Sequence, residues 1–123
     1  MSNQASSSYS ITKLDSSDNS IEADVRIDDS HELFSGHFPG NPIVPGVLNI
    51  EIIQTIVKAA LGDYSIAKIN QLKFLKPIIP DKSTSLHYSI EMNKKENGSI
   101  LLTVKGTSKD EIHLKAQIYI SPD

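Results

Sequence analysis

The chain has 123 residues, a formal net charge of −3 and no cysteine. That length predicts one domain, able to bury roughly two-thirds of its unfolded surface without staples. The missing cysteines exclude disulfides and thiolate metal sites, and scattered basic residues under a net negative charge argue against nucleic acid as the partner. No apolar run reaches the roughly 18 residues of a membrane span. Met1–Ser10 is Ser-rich with no apolar core, unlike a secretory leader. A soluble, cytoplasmic protein is expected, with a disordered N-terminal tail over 1–8 and a single domain over 9–121.

Tyr9, Ile11 and Leu14 suggest a first strand, and Asp15–Ser20 is turn chemistry. Ile21, Ala23, Val25 and Ile27 then alternate with polar residues as a half-buried strand. Asp29 with Glu32 three residues on resembles a capping box, predicting a short helix or turn over 30–34. A proline-rich loop follows over 36–45, and a long helix runs from about Pro45 to Leu61. At 100° per residue, Val47, Glu51, Gln54, Thr55 and Lys58 share one narrow polar stripe, while aliphatic residues cover nearly all the rest. Asn49 falls outside that stripe and finds no explanation in the pattern. Gly62 is placed to cap the helix.

The remainder reads as strands. Residues 67–76 carry Ile69, Leu72 and Phe74 and end at Pro77. Leu86, Tyr88, Ile90 and Met92 alternate, so Tyr88 and His87 face opposite sides. Asn97-Gly98 signals a hairpin ahead of Ile100, Leu102 and Val104, and a turn over Ser108–Glu111 precedes the long alternation Ile112, Leu114, Ala116, Ile118 and Ile120. These periods predict an α+β domain in which an antiparallel sheet, meandering through its second half, wraps around one central helix. So apolar a helix also predicts a second copy of the chain against it.

The stretch from His37 to Glu51 holds Pro39, Pro42 and Pro45, whose φ angles are fixed, and Gly40 and Gly46. His37, in an apolar and constrained setting, can be a neutral base near pH 7. Glu51, on the polar seam of a greasy helix, is expected to be partly desolvated and able to donate a proton. The N–H groups of Gly46 and Val47 point out of the positive end of the helix dipole, and Gly46 lets a carbonyl oxygen come close. A base, an acid and an oxyanion donor suit proton abstraction beside a carbonyl with loss of a β-hydroxyl. The simpler alternative is a loop locked by Pro and Gly that leads into a core helix. His31, His87 and His113 are dispersed without metal-ligand spacing.

Gly36-His37-Phe38-Pro39-Gly40-Asn41-Pro42-Ile43-Val44-Pro45-Gly46-Val47-Leu48, followed by Ile50-Glu51, resembles the signature of the hot-dog-fold 3-hydroxyacyl-[acyl-carrier-protein] dehydratases, the type with a catalytic Glu. Lys73-Phe74-Leu75-Lys76-Pro77-Ile78-Ile79-Pro80 resembles that family's strand after the helix. The resemblance implies a hot-dog fold. It implies that His37 removes the C2 proton, that Glu51 protonates the departing hydroxyl, and that Gly46 donates an N–H to the thioester carbonyl. Val47, Phe38 and Pro45 complete the expected oxyanion and substrate-binding set. His and Glu would come from opposite subunits of a homodimer, or a trimer of dimers, with no metal or organic cofactor. The substrate would ride on the phosphopantetheine arm of an acyl carrier protein, with its acyl chain in a tunnel along the dimer interface. Lys73, Lys76 and Lys82 are candidate contacts for that acidic carrier.

Two features depart from the family pattern. Typical members put a Gln four residues after the acid, whereas here Gln54 is three after and Thr55 four after. They also begin with a Pro-His-Arg-Tyr-Pro-Phe-like segment where this chain is Ser-rich, which predicts that a flap over the tunnel mouth or part of its wall is missing. Either change would shift chain-length preference or indicate a specialised acyl pathway, such as aryl-polyene or polyketide-like synthesis, rather than general fatty acid synthesis. A hot-dog thioesterase and a non-catalytic acyl-binding subunit, paired with a second hot-dog chain, are the alternatives.

Overall fold

The computed structural model describes residues 8–28, 46–78 and 85–123. Among the described residues, six strands and one helix follow in the order β1 (Tyr9–Ser16), β2 (Ser20–Ile27), α1 (Gly46–Leu61), β3 (Tyr64–Phe74), β4 (Ser85–Lys94), β5 (Ile100–Ser108) and β6 (Glu111–Pro122). All neighbouring strands are antiparallel, in the spatial order β1-β2-β4-β5-β6-β3. The backbone of α1 comes nearest to β3 and β1, the two outer strands, so the sheet curls until its edges flank the helix. The predicted helix over 30–34 and the loop over 36–45 lie outside the described residues.

The inner face is built by alternation. Ile21, Ala23, Val25 and Ile27 of β2, Leu86, Tyr88 and Ile90 of β4, Leu102 and Val104 of β5, and Leu114, Ala116, Ile118 and Ile120 of β6 are buried, as the period of two requires. Against them lie Leu48, Ile52, Ile53, Ile56 and Val57 of α1. The exposed side of the helix includes the predicted stripe: Val47, Glu51 and Lys58 are exposed and Gln54 and Thr55 half-buried, and Ala59, expected on the apolar side, is exposed with them. Gly62, at φ 87°, ends the helix with its N–H on the Lys58 carbonyl at 3.0 Å.

The turns differ in kind. Between β4 and β5, Lys95 N–H bonds to Ser99 C=O and Gly98 N–H to Lys95 C=O, so Glu96-Asn97-Gly98 forms a three-residue loop with Gly98 left-handed at φ 90°. Between β5 and β6, Lys109 and Asp110 are both left-handed, at φ 51° and 66°, making a two-residue turn whose twist suits the strands it joins.

Three details correct the sequence reading. Ser8, assigned to the disordered tail, is buried, and its carbonyl accepts the Asp28 N–H at 2.8 Å, which extends the β1–β2 ladder by one bond. β3 starts at Tyr64, earlier than the predicted residue 67. Register shifts between Ile66 and Lys68 and between Ile69 and Gln71 break its alternation, so the period of two is lost. β3 also leaves the meander: it pairs with β6 rather than β4 and forms an edge of the sheet.

The strand's position is fixed from the helix. Gln54 donates from Nε2 to the Tyr64 carbonyl at 3.0 Å and accepts the Ile66 N–H on Oε1 at 2.9 Å. Lys58 Nζ adds bonds to the Tyr64 carbonyl and to Asp123, each at 3.1 Å. Gln54 is therefore occupied in holding β3, which accounts for a glutamine at that place on the stripe.

Candidate active site

Gly46 is the first residue of α1, so its N–H and that of Val47 are among the four helix amides with no intrahelical partner. The ring of Phe74, from the end of β3, lies over Gly46. A Cβ added at Gly46 would stand 2.9 Å from Phe74 Cζ and 3.1 Å from Cε2. A side chain at position 46 would therefore force the Phe74 ring to shift. Beside this contact opens a cleft of about 300 Å³, walled by Gly46, Asn49, Phe74, Lys76, Ile78 and His113 among others.

Behind the cleft is a buried polar set. Asn49, 2% exposed, accepts the Tyr88 hydroxyl on Oδ1 at 2.6 Å, which explains its place on the apolar side of α1. The pairing spares both groups the roughly 1–3 kcal/mol cost of an unsatisfied buried polar atom. Burial also raises the Tyr88 phenol above its ordinary pKa, so it stays protonated and acts as the donor. His113, 3% exposed, packs edge-on to the Tyr88 ring, with centroids 6.1 Å apart and planes at 89°. Burial pushes its imidazole down to about 4, so it is neutral at physiological pH.

Glu51 lies elsewhere on the helix, about 140° around from Gly46 at 100° per residue. It is exposed in the single chain: the described residues of its own chain do not cover it. Thr55, one turn on, donates to the Glu51 carbonyl at 2.9 Å and lies 2.7 Å from the Tyr9 hydroxyl. Tyr9, on β1, is thus brought to the seam beside Glu51. Burial raises its pKa, and the nearby Glu51 charge adds to the shift. His37, Phe38, Pro45 and Lys82 lie outside the described residues. Val47 is 76% exposed and Lys73 is exposed, while Lys76, at the cleft, pairs with Glu111 at 2.5 Å.

Sequence reading missed the places of Tyr9 beside Glu51, Tyr88 behind the cleft and His113 in its lining. Their partners are 46 and 39 positions away for the first two, and a register irregularity in the ladder turns the third inward. His87, by contrast, stands on the outer face of β4, with Nδ1 at 2.7 Å from Asp24 and Nε2 at 2.6 Å from Glu22. The Asp24 bond raises its pKa, with Glu22 adding to it. Among the described residues no group of three His, Asp or Glu side chains could hold a metal ion.

The two histidines act on stability in opposite directions. Unfolded, each titrates near 6.5. Folded His113 takes its proton only near 4, so acid costs stability as pH falls from about 6.5 to 4, on the order of 2 kcal/mol. Protonated His87 is favoured by its carboxylates. Its contribution is present below about 6.5 and fades as pH rises through its raised folded value. His113→Phe removes only the first effect. Denaturant midpoints should show the variant gaining 1–2 kcal/mol relative to wild type, roughly, between pH 7.5 and pH 4.5. A pH-independent difference would mean that His113 titrates alike in both states.

The chain matches the ApeI-like family, described as ApeI dehydratase, over residues 13–116. It is 32% identical over 104 residues to a 3-hydroxyacyl-[acyl-carrier-protein] dehydratase FabZ of Lactobacillus helveticus, covering 76% of this chain and 68% of the relative. A FabZ of Polynucleobacter necessarius is also 32% identical, over 107 residues, covering 80% and 70%. Among solved structures, the dehydratase heterocomplex ApeI:P from Xenorhabdus doucetiae superposes with a TM-score of 0.75 at 22% identity, covering 91% of this chain and 96% of that one. The six-stranded antiparallel sheet around one helix is the hot-dog fold, and the chain belongs to the ApeI-like dehydratase family.

Proposed function

We propose that the chain dehydrates a 3-hydroxyacyl thioester, carried on acyl carrier protein, to the trans-2-enoyl thioester. The observation that carries this reading is the start of α1: Gly46, whose N–H and that of Val47 have no partner within the helix, lines an apolar-walled cleft. A thioester carbonyl placed on those amides becomes an enolate-like oxyanion as His37 takes the C2 proton. The hydroxyl at C3 then leaves with a proton from Glu51, as water. The curated relatives named above are enzymes of this class, which supports the choice of carrier-bound substrate.

Two chains are needed. Glu51 does not line the Gly46 cleft of its own chain, and a second copy is the natural source of the acid. The exposed large hydrophobic residues support this: Val47 on the first turn of α1 and Ile69, Phe74 and Leu75 along and beyond β3, an edge strand. Either an identical subunit or a second hot-dog chain would cover them, and the ApeI:P neighbour is itself a heterocomplex. Lys73 remains exposed for an acidic carrier, whereas the charge of Lys76 is partly answered by Glu111.

The purified protein, given 3-hydroxyacyl-carrier substrate, should raise the ultraviolet absorbance of the conjugated enoyl thioester and release no free thiol. Thiol release without enoyl formation would replace this reading with a thioesterase. Tight association with a second hot-dog chain, with no turnover by this chain alone or by the pair, would replace it with a binding subunit. Substrates from general fatty acid synthesis, compared with extended conjugated or aromatic acyl chains, assign the pathway.

A further inference from the structure

His113 occupies its site because of an irregularity in the sheet. Thr107 pairs with Ile112 and Gly106 with Leu114, so β6 carries one more residue than β5 across this step, and that residue is His113. Such a bulge re-aims a side chain. His113 and Leu114, adjacent in sequence, are both buried as a result. The ring fits because residue 106 has no side chain: a Cβ there would stand 2.9 Å from both His113 Cε1 and Nε2. A bulge and a glycine together therefore make room for one imidazole.

Neither nitrogen of that imidazole has a hydrogen-bond partner among the described residues. The hydroxyl of the adjacent Tyr88 is already used, since it donates to Asn49. A phenyl ring would fill the same space with no desolvation cost. His113 is among the residues that line two clefts, one of about 300 Å³ reaching Gly46 and one of about 190 Å³ running out past Lys76 toward Ser108 and Glu111, while its ring nitrogens are themselves closed to solvent.

We propose that His113 is the polar end of the substrate cleft, where it exchanges hydrogen bonds with an uncharged hydroxyl or amide of the substrate remote from C2 and C3. This deepens the dehydratase reading above and rests on it. The ligand group is uncharged because a neutral imidazole offers one donor and one acceptor but no countercharge. The other titratable groups around the ring agree: Tyr88 is protonated, and Lys76 is tied to Glu111 at the rim. Two parts of a carrier-bound thioester present such chemistry, a hydroxylated acyl tail and the amides of the pantetheine arm.

The test measures kcat/KM for 3-hydroxyacyl thioesters of equal length, with plain or hydroxyl-ended tails, each on pantetheine and on the truncated N-acetylcysteamine arm. Wild type should prefer the polar form of one part by about 10- to 100-fold. His113→Phe should abolish that preference and His113→Gln restore part of it. Preference that follows the tail assigns the tail as the ligand, and preference that follows the arm assigns the arm. A direct readout uses wild-type protein and non-reacting thioether analogues of the same four compounds. The His113 ring-nitrogen resonances, identified by their loss in His113→Phe, should shift on saturation with the preferred one. Equal substrate ratios in wild type and His113→Phe, with unmoved resonances, would overturn the proposal and leave the dehydratase reading standing. Shifted resonances with no enoyl product from any substrate would keep the His113 contact and sink the dehydratase reading instead.

Discussion

Glu51→Gln is expected to lower the rate of enoyl formation by about 10²- to 10⁴-fold, the range that a positioned general acid supplies. The amide keeps the size and hydrogen-bonding reach of the acid but carries no transferable proton, so kcat should fall while KM changes little. Each chain should keep its own fold, because Glu51 is exposed on the helix stripe of the single chain, and size-exclusion chromatography should show the two-chain assembly intact. His37→Ala should cause a loss of similar size by removing the base. A further discriminating result is complementation. If the acid and the base of one site come from different chains, mixing the two inactive variants should regenerate sites that hold both His37 and Glu51. A proficient Glu51→Gln enzyme would remove the carboxylate from the chemistry.

The largest expected stability effect is at the centre of the helix. Ile53 is fully buried, with 0% exposure, among side chains from the sheet's inner face. Ile53→Ala removes three carbons from a packed interior and leaves a cavity that a curled sheet cannot close from both sides. The cost should be about 2–5 kcal/mol. For a domain of this size that corresponds to a fall in Tm of very roughly 10 °C or more, read by calorimetry. An unchanged denaturant m-value would confirm that the same surface is exposed on unfolding. A cost below about 1 kcal/mol would mean that Ile53 is not held in a closed core.

The fold was legible wherever one face of an element meets the core along its whole length. The stripe Val47, Glu51, Gln54, Thr55 and Lys58 came directly from helical spacing, and the buried sets of β2 and β4 from alternation, because in these elements burial follows a single period. Legibility failed where the period breaks. The register shifts in β3 hid its first residues and its partner strand. The alternation Ile112, Leu114, Ala116 places residue 113 outside, and only the bulge brings His113 in. Asn49 looked anomalous because its partner, Tyr88, lies on another element. For the site, the start of α1 and the seam bearing Glu51 were readable from the motif. The Gly46–Phe74 contact, the Tyr9–Thr55 bond and the Asn49–Tyr88 pair depend on how the sheet curls, which spacing along the chain does not encode.

The placement of β3 beside β6 has a consequence for how the molecule is made. Phe74 pairs with Leu114 and Tyr64 with Pro122, so each residue of β3 is synthesised at least 40 positions before its partner. At about 5–20 residues per second, β3 leaves the ribosome seconds before β6 exists. In that interval the isoleucine-rich helix can form but has only part of its sheet, and its β3 flank is open. The nascent chain is therefore most prone to aggregation and chaperone capture in the seconds before the sixth strand emerges.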